Sequence, residues 1–354
     1  MSTGLTLKKL ILQNTGDNKD ILKNALTFLE YDSASKIQKV LVPAADGGND
    51  GIRNDHSEEK LVYVEYKTYE LPARRPNDQI TVERACKLAR LLQHTNASEA
   101  GFHTLRLRCL VQQKRQSGTC FAVVFDLPDG VDPTPTTLLQ AIKTDSTMRP
   151  TLGQRFRIAH SLAQTLFQFH SVGWLHKSIR SENVLLFPSP KENRQIDYCH
   201  PYLVGFEFSR DVLDRSNTEQ DGVLEHNIYR HPDRQGSPSD EKDPDLPFTI
   251  IYDIYSMGVI LLEVGLWRAA IGYEDWHPLT PANEIQQSLE AHAKDRLPHY
   301  MGQAYTDLVV ACLQGSFAGG GRTGLALSDI EREGMLLAYH EAVVTGIENG
   351  LSLN

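Results

Sequence analysis

The stretch that most constrains this chain is His176-Lys177-Ser178-Ile179-Arg180-Ser181-Glu182-Asn183-Val184-Leu185-Leu186-Phe187. An apolar stripe at helical spacing leads up to it: Leu152, Phe156, Ile158, Ala159, Leu162, Leu166 and Phe169. That helix is expected to stop at Ser171-Val172-Gly173. The polar residues that follow read as a loop, and Val184 to Phe187 as an apolar strand. A long helix, a polar loop and a buried strand must therefore meet within about one loop length.

Composition narrows the class. The chain has 354 residues, 40% of them apolar and 23% charged, which fits a folded globular protein. That length suits one large two-lobed domain or two ordinary ones, since domains run about 100–200 residues. The formal net charge of -9 disfavours non-specific binding to a phosphate backbone, so no nucleic-acid partner is expected. The five cysteines, Cys86, Cys109, Cys120, Cys199 and Cys312, show no metal-ligand spacing and read as reduced thiols of a cytoplasmic protein. The N-terminus lacks the apolar core of a signal peptide. The longest apolar run, Tyr255 to Trp267, is interrupted by Glu263 and is too short to span a bilayer, so no membrane span is expected.

Taken in order, residues 1–35 suggest a helical extension. Leu5, Leu7, Leu10 and Ile11 form one short amphipathic pattern, and Ile21, Leu22, Ala25, Leu26 and Leu29 a second. Strands are expected over Ile37–Pro43 and Leu61–Lys67, separated by a loop that contains Ala44–Gly51. Thr81 reads as the N-cap of a helix whose inner face is Val82, Ala85, Leu88, Ala89 and Leu92. Strands over Thr104–Val111 and Cys120–Phe125 follow, then a turn-rich bridge at Asp126–Gly130. A short helix is expected over Thr136–Ile142. Tyr202–Arg210 reads as a strand and turn, 211–249 as a long polar loop, and Ile250–Leu266 as an apolar helix. The last two helical patterns are Tyr305–Leu313 and about Ser328–Leu351.

At the opening stretch the sequence resembles the catalytic loop of the protein-kinase family, usually H-R-D-L-K-P-E-N-V-L-L. Four further fragments carry the resemblance in the family's order. Leu203–Arg210 is similar to L-V-D-F-G-L-S-R, and Tyr229-Arg230-His231-Pro232-Asp233 to the Y-R-x-P-E that closes an activation segment. Tyr252–Glu263 is similar to the D-x-x-S-x-G-x-x-L-x-E helix, and Asp307–Leu313 to a later helix of the large lobe. The wording is closest to divergent kinase-like domains of filamentous fungi, often found behind HeLo-type domains in prion-inhibition and incompatibility proteins. No domain of that size fits in residues 1–35.

The resemblance implies an α+β, protein-kinase-like bilobal fold: a small β-rich N-lobe over 36–126 and a large, mainly helical C-lobe over 127–354. It also implies what is missing. Kinases use an Asp as base, a second Asp and an Asn on magnesium, a strand Lys on the phosphates and a Gly-rich lid. Here the base position is Ser178, and the magnesium Asp is Gly205. Asn183 is left as a vestigial metal ligand. In a second register Glu207-Phe208-Ser209 is the turn and Glu207 faces the metal. Gly47, Gly48 and Gly51 do not make a phosphate lid, and nearby carboxylates would repel a nucleotide.

Lys67 is the candidate strand lysine, with Glu83 as its helix partner; the plainer alternative is a surface Lys and a first-turn Glu. Arg180 stands at a phosphate-contacting position, or else pairs with Glu182. His176 is expected to be packed and hydrogen-bonded rather than titrating. Asp253 is expected to accept backbone N–H groups of the 176–183 loop, and Asp233 to pair with Arg322. Ser209, Ser216, Thr218 and Tyr229 are candidate phosphorylation sites. The resulting expectation is a catalytically inactive pseudokinase that requires no cofactor and acts as a regulatory or scaffold module for protein partners, in fungal incompatibility or innate-immune signalling. The alternative is an atypical kinase that binds ATP and magnesium. Oligomeric state is not readable from the sequence.

Overall fold

A computed structural model describes residues 27–28, 36–43, 57–70, 78–94, 102–115, 118–144, 149–189, 195–211, 223–235, 248–317 and 328–352. These fall into two compact units. One takes the described residues within 1–100, 104–134 and 188–194; the other takes those within 101–103, 135–187 and 195–354. The architecture is α+β: an antiparallel sheet with one helix in the first unit, and a mainly helical second unit. The seam that opens the long run of the second unit lies at 134/135, with the expected boundary at 126/127 a few residues upstream. No helix among the described residues is long and apolar enough to cross a membrane.

The first unit contains strands β1 (Thr27–Phe28), β2 (Ile37–Pro43) and β3 (Ser57–Glu70), helix α1 (Asp78–His94), and strands β4 (Leu107–Arg115) and β5 (Gly118–Asp126). The strands pair antiparallel in the order β1-β2-β3-β5-β4. Alternate residues supply one buried cluster, Val40, Val62, Val64, Cys109, Ala122 and Val124. This is the period-two consequence of β geometry. α1 packs against β4 and β5 and buries Ala85, Cys86, Leu88, Ala89, Leu91 and Leu92.

Two details differ from the sequence expectation. α1 begins at Asp78, so Thr81 lies within the first turn rather than capping it. Thr27 and Phe28 pair with Leu41 and Val40 as a strand, although a helix was expected over Ile21–Leu29. Both residues suit a pleated backbone, and an available edge of β2 outweighs a short helical pattern. The rest of the expected extension over residues 1–35, apart from Thr27–Phe28, and the Ala44–Gly51 loop lie outside the described residues.

The second unit continues with β6 (Thr136–Thr137), α2 (Leu138–Lys143), α3 (Leu152–Ser171), β7 (Trp174–Leu175), β8 (Val184–Leu186), β9 (Tyr202–Leu203) and β10 (Arg210–Asp211). Then come α4 (Leu224–Asn227), α5 (Ile250–Leu266), α6 (Ala282–Met301), α7 (Gln303–Gln314), α8 (Asp329–Tyr339), a π-helical stretch (His340–Thr345) and α9 (Gly346–Ser352). Thr151 caps α3 through a reciprocal bond with Gln154, and Ser328 caps α8 likewise with Glu331.

Every residue of α5 is buried, as its apolar run implies. It contacts α3, α6 and α7. Gly258 allows the approach to α7, since a Cβ there would lie 2.8 Å from the Cβ of Cys312. α6 was not among the sequence expectations. Its stripe, Ile285, Leu289, Ala293, Leu297 and Met301, recurs every four residues and is buried, but the charged residues between and Pro298 obscure it.

Candidate functional site

The loop 176–183 is built on α5. Asp253, with no exposed surface, accepts the backbone N–H of His176 and of Lys177, each at 2.8 Å. The His170 Nε2 lies 3.2 Å from the same carboxylate. These bonds hold Lys177 at φ 65, left-handed backbone that an L side chain adopts only at a cost. The expected role of Asp253 as the brace of this loop is therefore met by two direct bonds.

His176 is fully buried against Phe206 and Phe169, with ring centroids 5.0 and 6.2 Å away. Its Nδ1 accepts the Ser178 N–H at 3.3 Å. Burial holds the imidazole down at about 4, outweighing the pull of Asp253. It is accordingly neutral at physiological pH, as expected of a packed loop histidine.

Ser178, Asn183 and Gly205 come together. The Asn183 side-chain N–H group donates to the Ser178 carbonyl at 2.8 Å and to its hydroxyl at 3.0 Å. The Asn183 carbonyl accepts from the Val204 N–H at 2.9 Å, tying the loop to the segment that carries Gly205. Gly205 has φ 90, and a Cβ there would lie 2.3 Å from the Asn183 Nδ2. Glycine satisfies both conditions: it adopts left-handed backbone and leaves room for the amide.

Glu207 lies in the following 3₁₀ turn, Phe206–Phe208. Its half-exposed carboxylate is 3.9 Å from the Arg180 Nη2. Arg180 also lies 3.4 Å from Glu182, which in turn is 3.5 Å from the His226 imidazole. The positive charge at Arg180 thus faces two carboxylates already, which is the ion-pair alternative.

Lys67 and Glu83 belong to the first unit, on β3 and α1. Glu83 is exposed; the Lys67 side chain lies outside the described residues, as do Arg322, Ser216 and Thr218. Of the candidate phosphorylation sites, Ser209 and Tyr229 are described and both are buried, which does not favour their modification in this state. Ser209 donates to the Phe206 carbonyl at 2.7 Å, and Tyr229 is inserted against α5.

No protein-family model matches this sequence, and no curated protein matches it.

The residues at 178, 183 and 205 do not fit a magnesium ion. They offer a hydroxyl, an amide and no carboxylate, and the amide presents its N–H side to Ser178. Magnesium is held through carboxylate oxygens and phosphates. Nothing among these three can accept a proton from an alcohol at neutral pH, because an unassisted serine hydroxyl is not a base there. What the arrangement does well is hold two segments of backbone together.

Sequence reasoning missed the buried carboxyl group of Glu263, which meets Tyr229 and, through it, Ser181. The available signal was the single acidic residue inside the apolar run from Tyr255 to Trp267.

Proposed function

We propose that this chain is a protein-kinase-like bilobal module that no longer transfers phosphoryl groups and acts by binding other proteins in the cytoplasm. The observation that carries the reading is the closed contact between Asn183 and Ser178, with Gly205 packed against the same amide. The order of the motif-like segments supports the kinase-like part. The absence of a carboxylate at 178 and 205 supports the loss of chemistry. Removing a general base alone lowers rate by about 10²–10⁴, and a missing metal ligand adds to that. A regulatory role beside fungal incompatibility or innate-immune proteins rests on the wording of the motifs alone.

The test is magnesium-dependent ATP turnover by the full chain, run beside a thermal-shift titration with ATP. No turnover above background is expected. Turnover that is abolished by Lys67→Ala or by Glu207→Gln would overturn the reading in favour of an atypical kinase. A ligand present at about 100 times its Kd adds roughly 2.7 kcal/mol to stability. A thermal shift of that order without turnover would identify a nucleotide-binding switch.

A further inference from the structure

Glu263 is near the C-terminal end of α5 and has no exposed surface. Its Oε1 accepts the Ala270 N–H at 2.7 Å. The Tyr229 hydroxyl lies 2.9 Å from both carboxyl oxygens, and the Ser181 hydroxyl lies 2.7 Å from that of Tyr229. Among the described residues no cation forms an ion pair with Glu263. The groups around it come from several elements. Lys143 on α2 acts on it electrostatically, Tyr273 faces it from beyond the Ala270 turn, and Glu182 acts on Tyr229. His226 pairs with Glu182, and Arg268 acts on Tyr273.

Burial of this carboxyl group without a paired cation favours a neutral acid. A tyrosine hydroxyl has one hydrogen. If Glu263 is ionised, the Ala270 N–H serves Oε1 and the Tyr229 hydroxyl Oε2, but the charge is fully buried with no ion pair among the described residues, which is costly. If Glu263 is protonated, its own hydrogen can be donated to the Tyr229 oxygen, Tyr229 can donate to Ser181, and Oε1 still accepts from Ala270. The site is then fully hydrogen-bonded and carries no buried charge.

Tyr229 helps fasten the segment 223–235 to α5, beside His231, which packs on Tyr252 and Tyr255 and faces Asp233, and Arg234, which lies over the Tyr252 ring. The Tyr229 hydroxyl meets Glu263, and the Tyr229 backbone carbonyl accepts from the Ser256 hydroxyl at 2.6 Å. We propose that Glu263, Tyr229 and Ser181 form a proton-operated latch. A proton on the buried carboxyl group holds residues 223–235 against α5, and its loss loosens them. The latch needs no nucleotide and does not depend on the proposed function.

Burial pushes the Glu263 carboxyl up to about 7 from an ordinary 4.5, against the opposing pull of the Ala270 N–H, the Tyr229 and Ser181 hydroxyls and Lys143. Opening the segment returns it towards the ordinary value. The latched state therefore binds the proton more tightly. Its advantage is complete below about 4.5 and is lost as pH rises through about 7, at up to tenfold per pH unit in the opening equilibrium.

The experiment is hydrogen exchange on the full chain, expressed as protection factors for 224–234, between about pH 5 and pH 8. In the parent chain protection is expected to fall as pH rises to 7 and then level. In Glu263→Gln, a neutral isostere, it should stay flat, whereas Tyr229→Phe should lower it across the range. Parallel pH profiles in the parent and Glu263→Gln would overturn the latch. Should Glu263→Gln fail to fold, carboxyl-carbon NMR on the unaltered chain decides: one glutamate resonance must titrate near neutrality, and its absence would also overturn the proposal.

Discussion

Two regions of the second unit treat acidic side chains in opposite ways. At 178 and 205, where the proposed kinase-like reading would call for carboxylates, there are a hydroxyl and a bare α-carbon, and Asn183 closes the space between them. Along α5, where any charge must be buried, two acids are present. Asp253 accepts two rigid backbone N–H groups and faces a histidine; Glu263 has one backbone N–H and a rotatable phenol. Burying a carboxylate is tolerated only when donors are supplied. The acids that brace backbone are therefore present together with their donors. The comparison separates the frame of the molecule from the chemistry that such a frame can support.

The strongest way to break the comparison is Asp253→Ala. It strands two backbone N–H groups and a histidine in the interior and releases Lys177 from its left-handed conformation. A loss of about 3–5 kcal/mol is expected in denaturant unfolding, the usual cost of breaking a buried charged network. A loss below about 1 kcal/mol would mean that the brace is dispensable. Gly205→Ala should cost less, about 1–3 kcal/mol, because its Cβ meets the Asn183 amide and its φ is positive. Combining it with Asn183→Ala should return part of that loss; strictly additive losses would show that the close contact is not the source. The smallest effect belongs to Glu207→Gln. Its pair with Arg180 is half-exposed and long, so thermal unfolding should register under about 1 kcal/mol. A larger loss would place Glu207 among the braces rather than at the surface.

Much of the architecture was readable before folding. The stripe from Leu152 to Phe169 and the run from Ile250 to Leu266 became helices at those places, because periodic burial is a local property of sequence. Asp253 was readable only through the resemblance of Tyr252–Glu263 to a kinase-family helix, and its bonds to the His176 and Lys177 N–H groups meet that expectation. α6 was hidden by the charges between its buried residues. The pairing of Thr27–Phe28 with β2 was hidden because a strand of two residues is specified by its neighbour. At the candidate site, the absence of carboxylates at Ser178 and Gly205 needed only the residue names. The amide of Asn183 turned against Ser178 did not follow from them.

Residue identity alone established which groups are available: no acid at 178 or 205, one acid at 253 and one at 263. Tertiary structure decided their state. Tyr229 reaches Glu263 from 34 positions away in the chain, and that approach, together with the Ala270 turn, encloses the carboxyl group and sets a hydroxyl beside it. Ionisation depends on the local dielectric and on the donors within reach, and both are properties of the packed chain.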